Sequence, residues 1–398
     1  MDKPPRFMDK PPRLLIFVSH NGCGIVSPVI EHLRGNFSVV DVIYLQLPRM
    51  VIFLLLLASF RPNRKAWYQN WQRLREKTLF SFRMLTRACE RHIARHRRNV
   101  DVFIQVGAQF SLGRYKQLVP YFVIADSTRH LSSNNKADEI SIFRNQNTAH
   151  TWLALEGQVY RHATGLIARS VRVGESFVNH YGANRNAVLV RNFGVGLAHS
   201  DGNFSKQYDG KTVLFVGKGN FSAKGGQLVL EAFYKVREHI PDARLIIVGQ
   251  EGKNIDNIEY LGLVSDRNRL RTLFEQAHLF ALPSYIERFG MSILEAMAAY
   301  TPCIVANHSA MPEIIGDTGF TVPLGDASAL AERILVLLQN PDLSAELGRK
   351  ARARFEKNLS WEAVGNDINM FIRSRIHYYF IHHMEAVNNQ SSLHTAGR

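Results

Sequence analysis

Short apolar runs alternate with longer segments of helical periodicity along almost the whole chain. The apolar runs predict strands at Leu14–Ser19, Val39–Leu45, Val100–Val106, Tyr121–Ala125, Gly165–Ala168 and Ala187–Val190. Further strands are predicted at Thr212–Val216, Arg244–Val248, Ile258–Leu261, Leu279–Leu282, Cys303–Ala306 and Phe320–Val322. Apolar residues recur at helical spacing in Gln227–Glu238, Arg267–Ala277, Ser328–Leu338 and Leu343–Glu356. Trp361 and the apolar positions of Ala363–Ile376 predict a last helix. Strand-helix alternation of this kind implies α/β architecture, with parallel sheets covered on both faces.

Twelve strands are too many for one comfortable sheet. The polar stretch Ser200–Gly210 is the best linker in the chain. It divides the sequence into two Rossmann-like halves, and ligands of such folds sit at the carboxyl ends of the strands, so a cleft between the halves is expected. The domain plan is an N-terminal extension at 1–12, expected to be disordered, and a first domain at 13–199. A basic, aromatic insertion occupies about 46–98 of that domain. After the linker at 200–210 come a second domain at 211–360, a helix at 361–380 and a tail at 381–398. Met1-Asp-Lys-Pro-Pro-Arg recurs from Met8 and is given no functional weight.

The 398 residues are 46% hydrophobic and 21% charged, which suits large globular cores. Cys23, Cys89 and Cys303 are far apart and odd in number, so they form neither a disulfide framework nor a metal-like spacing. A reducing compartment follows, and with it a cytoplasmic location, because the N-terminus lacks a basic-then-apolar signal pattern.

The net charge of +15 is unevenly spread: Arg61–Arg98 holds twelve Lys and Arg against two Glu. Trp67, Tyr68, Trp71, Phe80 and Phe82 are interleaved, and the apolar run Met50–Phe60 lies just upstream. That run is shorter than the roughly 20 apolar residues needed to cross a bilayer. One reading is a peripheral anionic membrane surface on the inner face, met by residues 46–98. The alternative is a buried element followed by a solvated basic helix. Nucleic-acid binding is set aside, since no nucleic-acid module surrounds the patch.

Candidate chemistry concentrates in the second half. Strand Thr212–Val216 is followed by Gly217, Lys218, Lys224 and Gly225 on one loop before a helix, a cradle for an anion. The stretch Glu287–Glu295 places two carboxylates eight residues apart across Gly290, where a strand gives way to a helix. Free N–H groups at that helix start suit a diphosphate, and the two acids suit hydroxyl-bearing parts of one ligand. Taken separately, solvated loop lysines, a loop acid and an exposed helix acid are the plain alternatives.

Gly217-Lys218, Lys224-Gly225, Pro283-Ser284, Glu287-x-Phe289-Gly290, Glu295-Ala296, Pro302 and Pro312-Glu313-Ile314-Ile315 resemble the retaining glycosyltransferases of family 4. The resemblance is close over roughly Thr212 to Glu356. It implies the GT-B fold: two Rossmann-like domains facing each other across a cleft, with the C-terminal helix crossing back to the first. It also implies a nucleotide-sugar donor, expected to be of UDP or GDP type, with a sugar or lipid-linked acceptor; no metal is expected, since the lysines can take the leaving charge and no Asp-x-Asp pair is placed to hold one.

By that resemblance Lys218 and Lys224 hold the donor diphosphate, and Glu287 bonds hydroxyls of the transferred sugar. Backbone N–H groups around Phe289, Gly290 and Met291 meet the sugar or phosphate, and Glu295 binds the ribose. Lys218 stands where the family usually has Arg, which removes a bidentate fork. Asn307–Met311 stands where the family often has a glycine pair. In the first half, Gly22 and Gly24 follow the first strand, with His20 beside them, and Asp126 and His130 follow another. Asp126 or His130 would orient an acceptor hydroxyl or cap the next helix; Glu156 and Ser170 are equally open. The rival functions are a GT-B epimerase, a phosphorylase and a non-catalytic nucleotide-sugar or membrane-surface binding protein.

Overall fold

The computed structural model describes residues 11–19, 26–76, 78–133, 146–192, 206–208, 210–217 and 219–395. Two six-stranded sheets, parallel throughout, organise the chain. The first is built from β1 (Arg13–Ser19), β2 (Ser38–Leu45), β3 (Val102–Val106), β4 (Tyr121–Ala125), β5 (Gly165–Ala168) and β6 (Val188–Val190). The second uses β7 (Thr212–Val216), β8 (Arg244–Val248), β9 (Ile258–Tyr260), β10 (Leu279–Leu282), β11 (Cys303–Ala306) and β12 (Gly319–Val322).

Every predicted strand is present, with ends moved by at most two residues. The largest shift has a clear cause. Asp101 is occupied by Arg13, whose backbone N–H, Nε and Nη2 donate to its carboxylate at 2.9, 3.1 and 2.9 Å, so β3 starts two residues later than predicted, at Val102. The central strands are buried residue by residue, as parallel strands covered on both faces must be.

Helices of the first part are α1 (Val26–Asn36), α2 (Arg49–Ala58), α3 (Arg64–Glu76), α4 (Leu79–His96), α5 (Arg129–Ser133), α6 (Gln146–His162) and α7 (Val171–Asn179). Those of the second are α8 (Gly226–His239), α9 (Arg267–Gln276), α10 (Met291–Ala298), α11 (Met311–Ile315), α12 (Ala327–Gln339), α13 (Pro341–Asn358) and the long α14 (Trp361–Thr395). One compact unit takes the described residues of Met1–Arg169, Val173–Arg191 and Gly365–Arg398; the other takes Ser170–Arg172 and Asn192–Val364.

Most of α14 therefore belongs to the first unit. Its Arg375 donates to the Thr164 carbonyl at 2.9 Å, Phe371 packs edge-on to Phe122 with ring centroids 6.2 Å apart, and Asp367 pairs with Arg191 at 2.6 Å.

In the second sheet the strand order is β12-β11-β10-β7-β8-β9. Numbered within its own unit, that is the 3-2-1-4-5-6 order of a dinucleotide-binding fold, and the order reverses between β7 and β10. Such a reversal splays the loops that follow the two strands to opposite sides, leaving a crevice at their carboxyl ends. The first sheet runs β2-β1-β3-β4-β5-β6 and reverses between β1 and β3.

One expectation changes. No residue of α2 is buried, so the alternative of a buried element at residues 50–58 fails. The described part of the polar linker is tied down within the second unit. Lys206 Nζ donates to the carbonyls of Phe274, Glu275 and Ala299 and to Thr301 Oγ1, and the Tyr208 hydroxyl donates to the Tyr300 carbonyl. The lysine thus serves carbonyls left over at the ends of α9 and α10, which a helix cannot satisfy by itself.

Candidate active site

The loops after β7 and β10 are knitted together through one carbonyl. Ala223 O accepts from the N–H groups of Tyr285 and Ile286 at 3.0 and 3.1 Å and from Ser284 Oγ at 3.2 Å. Gly225 makes this approach possible. Its φ is +79°, and a Cβ there would lie 2.3 Å from the Pro283 carbonyl oxygen. The close packing delivers Lys224 to Glu287: Nζ donates to Oε2 at 2.8 Å and to the Ile286 carbonyl at 3.2 Å. Both side chains are only partly accessible, 24% and 11%.

The other oxygen of Glu287 holds the turn that leads into α10. Oε1 accepts from the Gly290 N–H at 3.0 Å and the Phe289 N–H at 3.4 Å. A carboxylate is well placed there, against the positive end of a helix dipole. Gly290, at φ +94°, turns the chain into the helix. The N–H groups expected to meet a ligand thus have an anionic partner within the chain. Phe289 is buried in the core of this unit, with Met291 packed against it.

Glu295 is buried within α10 and pairs with Arg267 at the start of α9, Nη2 to Oε1 2.9 Å. Burial pushes its carboxyl above the usual range, and the Arg267 charge opposes that. Arg267 was missed from the sequence; the signal available was Asp266, whose side chain caps α9 and so places an arginine at its first turn.

Ser309 was missed as well. It takes φ +60°, the left-handed conformation in which glycine is usual, and its Oγ donates to the Glu287 carbonyl. The loop at Asn307–Met311 thereby keeps a glycine-like path and gains a tie to the acid. Gly217 ends β7 and bonds through its N–H to the Val248 carbonyl at 2.9 Å. Lys218, Gly22, Gly24 and His20 lie outside the described residues.

In the first unit, Asp126 and His130 both follow β4. At the start of α5, Thr128 Oγ1 accepts from the Leu131 N–H at 3.3 Å and bonds Ser176 Oγ at 2.8 Å. The ring of His130 stacks on His180 at 3.7 Å, and its backbone N–H donates to the Tyr181 hydroxyl at 3.0 Å. Burial, and then His180, lower its pKa. Glu156 resolves as the anchor of this loop. It is buried and accepts from the Arg129 N–H and the hydroxyls of Tyr160 and Tyr181, and burial raises its pKa.

With this geometry in view, the comparisons with known proteins bear on the same half of the chain. Residues 210–340 match the family described as Glycosyl transferases group 1. The second unit carries a group 1 glycosyltransferase domain. Lys224, Glu287 and Glu295 all fall within that glycosyltransferase domain, as do Arg267 and Ser309.

Among curated proteins, the phosphatidyl-myo-inositol mannosyltransferase of Mycobacterium leprae is 33% identical over 171 residues, covering 40% of this chain and 45% of that one. The chain spans about half the length of the curated relatives it matches. Among solved structures, a glycosyltransferase from Rickettsia africae superposes with a TM-score of 0.64 at 17% identity, covering 92% of this chain and 98% of its own. Anabaena HepE, solved in complex with UDP, gives 0.61 at 15% identity, covering 90% and 99%. The fold shared with these structures is GT-B.

Proposed function

We propose that this protein is a glycosyltransferase that moves a sugar from a UDP- or GDP-type donor to a hydroxyl acceptor with retention of configuration. The observation that carries the reading is the Lys224–Glu287 pair at the carboxyl ends of β7 and β10, where the strand order reverses. Breaking the bond between the sugar and the diphosphate leaves negative charge on the phosphate and positive character on the sugar ring. Lys224, with Lys218, takes the developing phosphate charge. Glu287 exchanges its hold on Lys224 and on the Phe289 and Gly290 N–H groups for hydroxyls of the sugar, which frees those groups for the donor's anion. Glu295, held by Arg267, receives the ribose hydroxyls. The bond from C1 to the acceptor oxygen forms as the bond to phosphate breaks, and the acceptor proton leaves with the phosphate. The lysine charges do the work for which other enzymes use a metal, so the reaction is proposed to need no metal cofactor.

The acceptor is proposed to be a sugar or a lipid-linked compound at the anionic inner face of a membrane. Support comes from the likeness to a phosphatidyl-myo-inositol mannosyltransferase and from the basic segment 46–98. Among the described residues no helix is long and apolar enough to cross a membrane. Asp126 and His130 are proposed to line the acceptor side.

A thermal-shift panel of nucleotide sugars identifies the donor, since a ligand bound only to the folded state raises the melting temperature. Turnover of that donor is then followed with and without acceptor. Consumption without any acceptor would replace transfer by epimerisation, and tight binding without turnover would leave a binding protein.

A further inference from the structure

Helix α2 is apolar on every side. Val51, Ile52 and Leu55 pack against the core of the first unit. Met50, Phe53, Leu54 and Leu57 stand at i, i+3, i+4 and i+7, which makes them one stripe, and each is more than half exposed. Phe60 extends the stripe beyond the helix, its ring edge-on to Trp67 of α3 at 5.7 Å. The stripe is held firmly. Trp67 Nε1 donates to the Leu56 carbonyl and Ser59 Oγ, and Asn70 Nδ2 donates to the Ser59 carbonyl. These bonds satisfy the end of α2 and pin it to α3, so the stripe does not turn inward.

Helix α4 has a second periodicity. Phe82, Leu85, Cys89 and Ile93 are buried, while Arg83, Arg87, Arg91 and Arg95 recur every four residues on the exposed side. Like charges at that spacing repel one another and weaken a helix. Nearby acid does little to relieve them: Glu90 faces the chain at Arg114, accepting its backbone N–H at 2.9 Å. Arg73 and Arg75 close α3, with Arg75 over the ring of Trp71 at 4.3 Å.

We infer that α2 lies in the surface of an anionic bilayer, with Met50, Phe53, Leu54 and Leu57 in the acyl boundary and the arginines of α4 on the head groups. Ten residues are too few to span the bilayer but suit a helix lying in its interface. A second copy of the chain is the other way to cover the stripe. It would set one strongly basic segment against another, whereas anionic lipid supplies the missing charge. The inference rests on the proposed function only for what the docking serves; the docking itself needs no turnover.

The experiment is co-sedimentation of the full chain with vesicles of phosphatidylcholine alone or mixed with phosphatidylglycerol, at about 0.1 M and about 0.5 M salt. Three proteins are compared: the natural chain, Leu54→Glu/Leu57→Glu, and Arg87→Glu/Arg91→Glu. All these positions are exposed, so the variants should keep the natural melting temperature. The expected result is binding to the anionic vesicles that falls with salt. The α2 variant should lose about 100-fold in affinity, and the α4 variant at least about tenfold. Equal binding by the natural chain and the α2 variant would overturn the inference. So would absence of vesicle binding together with a dimer that the α2 variant converts to monomer. Nucleotide binding, measured on the same proteins without lipid, keeps the two readings apart: its loss in the natural chain would sink the transfer reading and leave the docking standing.

Discussion

Helices α2 and α10 are both short and almost wholly apolar, yet the fold uses them in opposite ways. Six of the eight residues of α10 are buried, among strands β10 and β11 and helices α9, α11 and α13. None of the ten residues of α2 is buried. In α10 the apolar surroundings immobilise a helix that carries one acid inside it, Glu295, and one at its start, Glu287. In α2 half of the apolar surface has no partner within the described residues, and it stands beside a basic helix. Apolar composition therefore reports that a surface needs covering. Whether the cover is the protein's own core or something outside it depends on where the helix sits in the fold.

The comparison breaks first, and most severely, at Glu287. Replacing it with Gln removes the charge from Lys224 while keeping a polar group near the α10 N–H donors. Transfer should fall about 10²- to 10³-fold, or roughly 3–4 kcal/mol in the barrier, with little change in melting temperature. Undiminished turnover would remove the acid from the chemistry and leave it a brace for the turn before α10.

The next largest effect contrasts the two helices directly. Leu294 is fully buried in α10, and Leu294→Ala should cost about 3 kcal/mol in urea unfolding. Leu54→Ala on the exposed stripe of α2 should stay within about 0.5 kcal/mol. Similar losses for the two would mean that α2 is covered in solution.

Arg267 sharpens the picture of α10 as a scaffold. Arg267→Ala leaves Glu295 buried without its cation, and burial already holds that carboxyl above the usual range. Donor affinity should weaken about three- to tenfold and should weaken further as pH falls, because protonation removes the acceptor of the ribose hydroxyls. Calorimetry across pH reads this directly, and Arg267→Lys should recover part of it. A pH-independent Kd in the Ala variant would count against the role.

A last test concerns Lys206, on the residues leading into the second unit, where the effect at any one pH step is small. Burial pushes its ammonium from 10.5 down to about 7. Between those values the unfolded chain holds a proton that the folded chain has lost, so this group makes stability rise with pH across the window, and the contribution disappears as pH falls through about 7. Relative to Lys206→Met, the natural chain should gain up to about 1.4 kcal/mol per pH unit there. Parallel stability curves for the two proteins would show that the lysine stays charged in the fold.

All twelve strands and the helices α8, α9, α12 and α13 were legible because parallel strands are short continuous apolar runs and surface helices carry a 3.6-residue period; both signals are local. Gly225 and Gly290 were legible for a similar reason, since the strand-to-helix turn they mark is written in adjacent residues. The pairings were less so. Arg267 meets Glu295 across 28 positions of sequence, and Lys206 reaches carbonyls of α9 and α10 from outside both. Ser309 holds a glycine-like φ that its side chain does not advertise. The outward stripe on α2 was invisible too, because a helix that is apolar all round has no periodicity to show which side faces the core.

Read alone, then, the order of residues determined which segments become strands and helices, and which motifs lie at the turns between them. Those are consequences of backbone sterics and side-chain period within a few residues. The tertiary structure alone decided which charges meet, that Glu287 holds the turn before α10 while pairing with Lys224, and which half of an apolar helix is left for a partner. Contacts of this kind join positions far apart in sequence, and their energies exist only once folding has removed the intervening water.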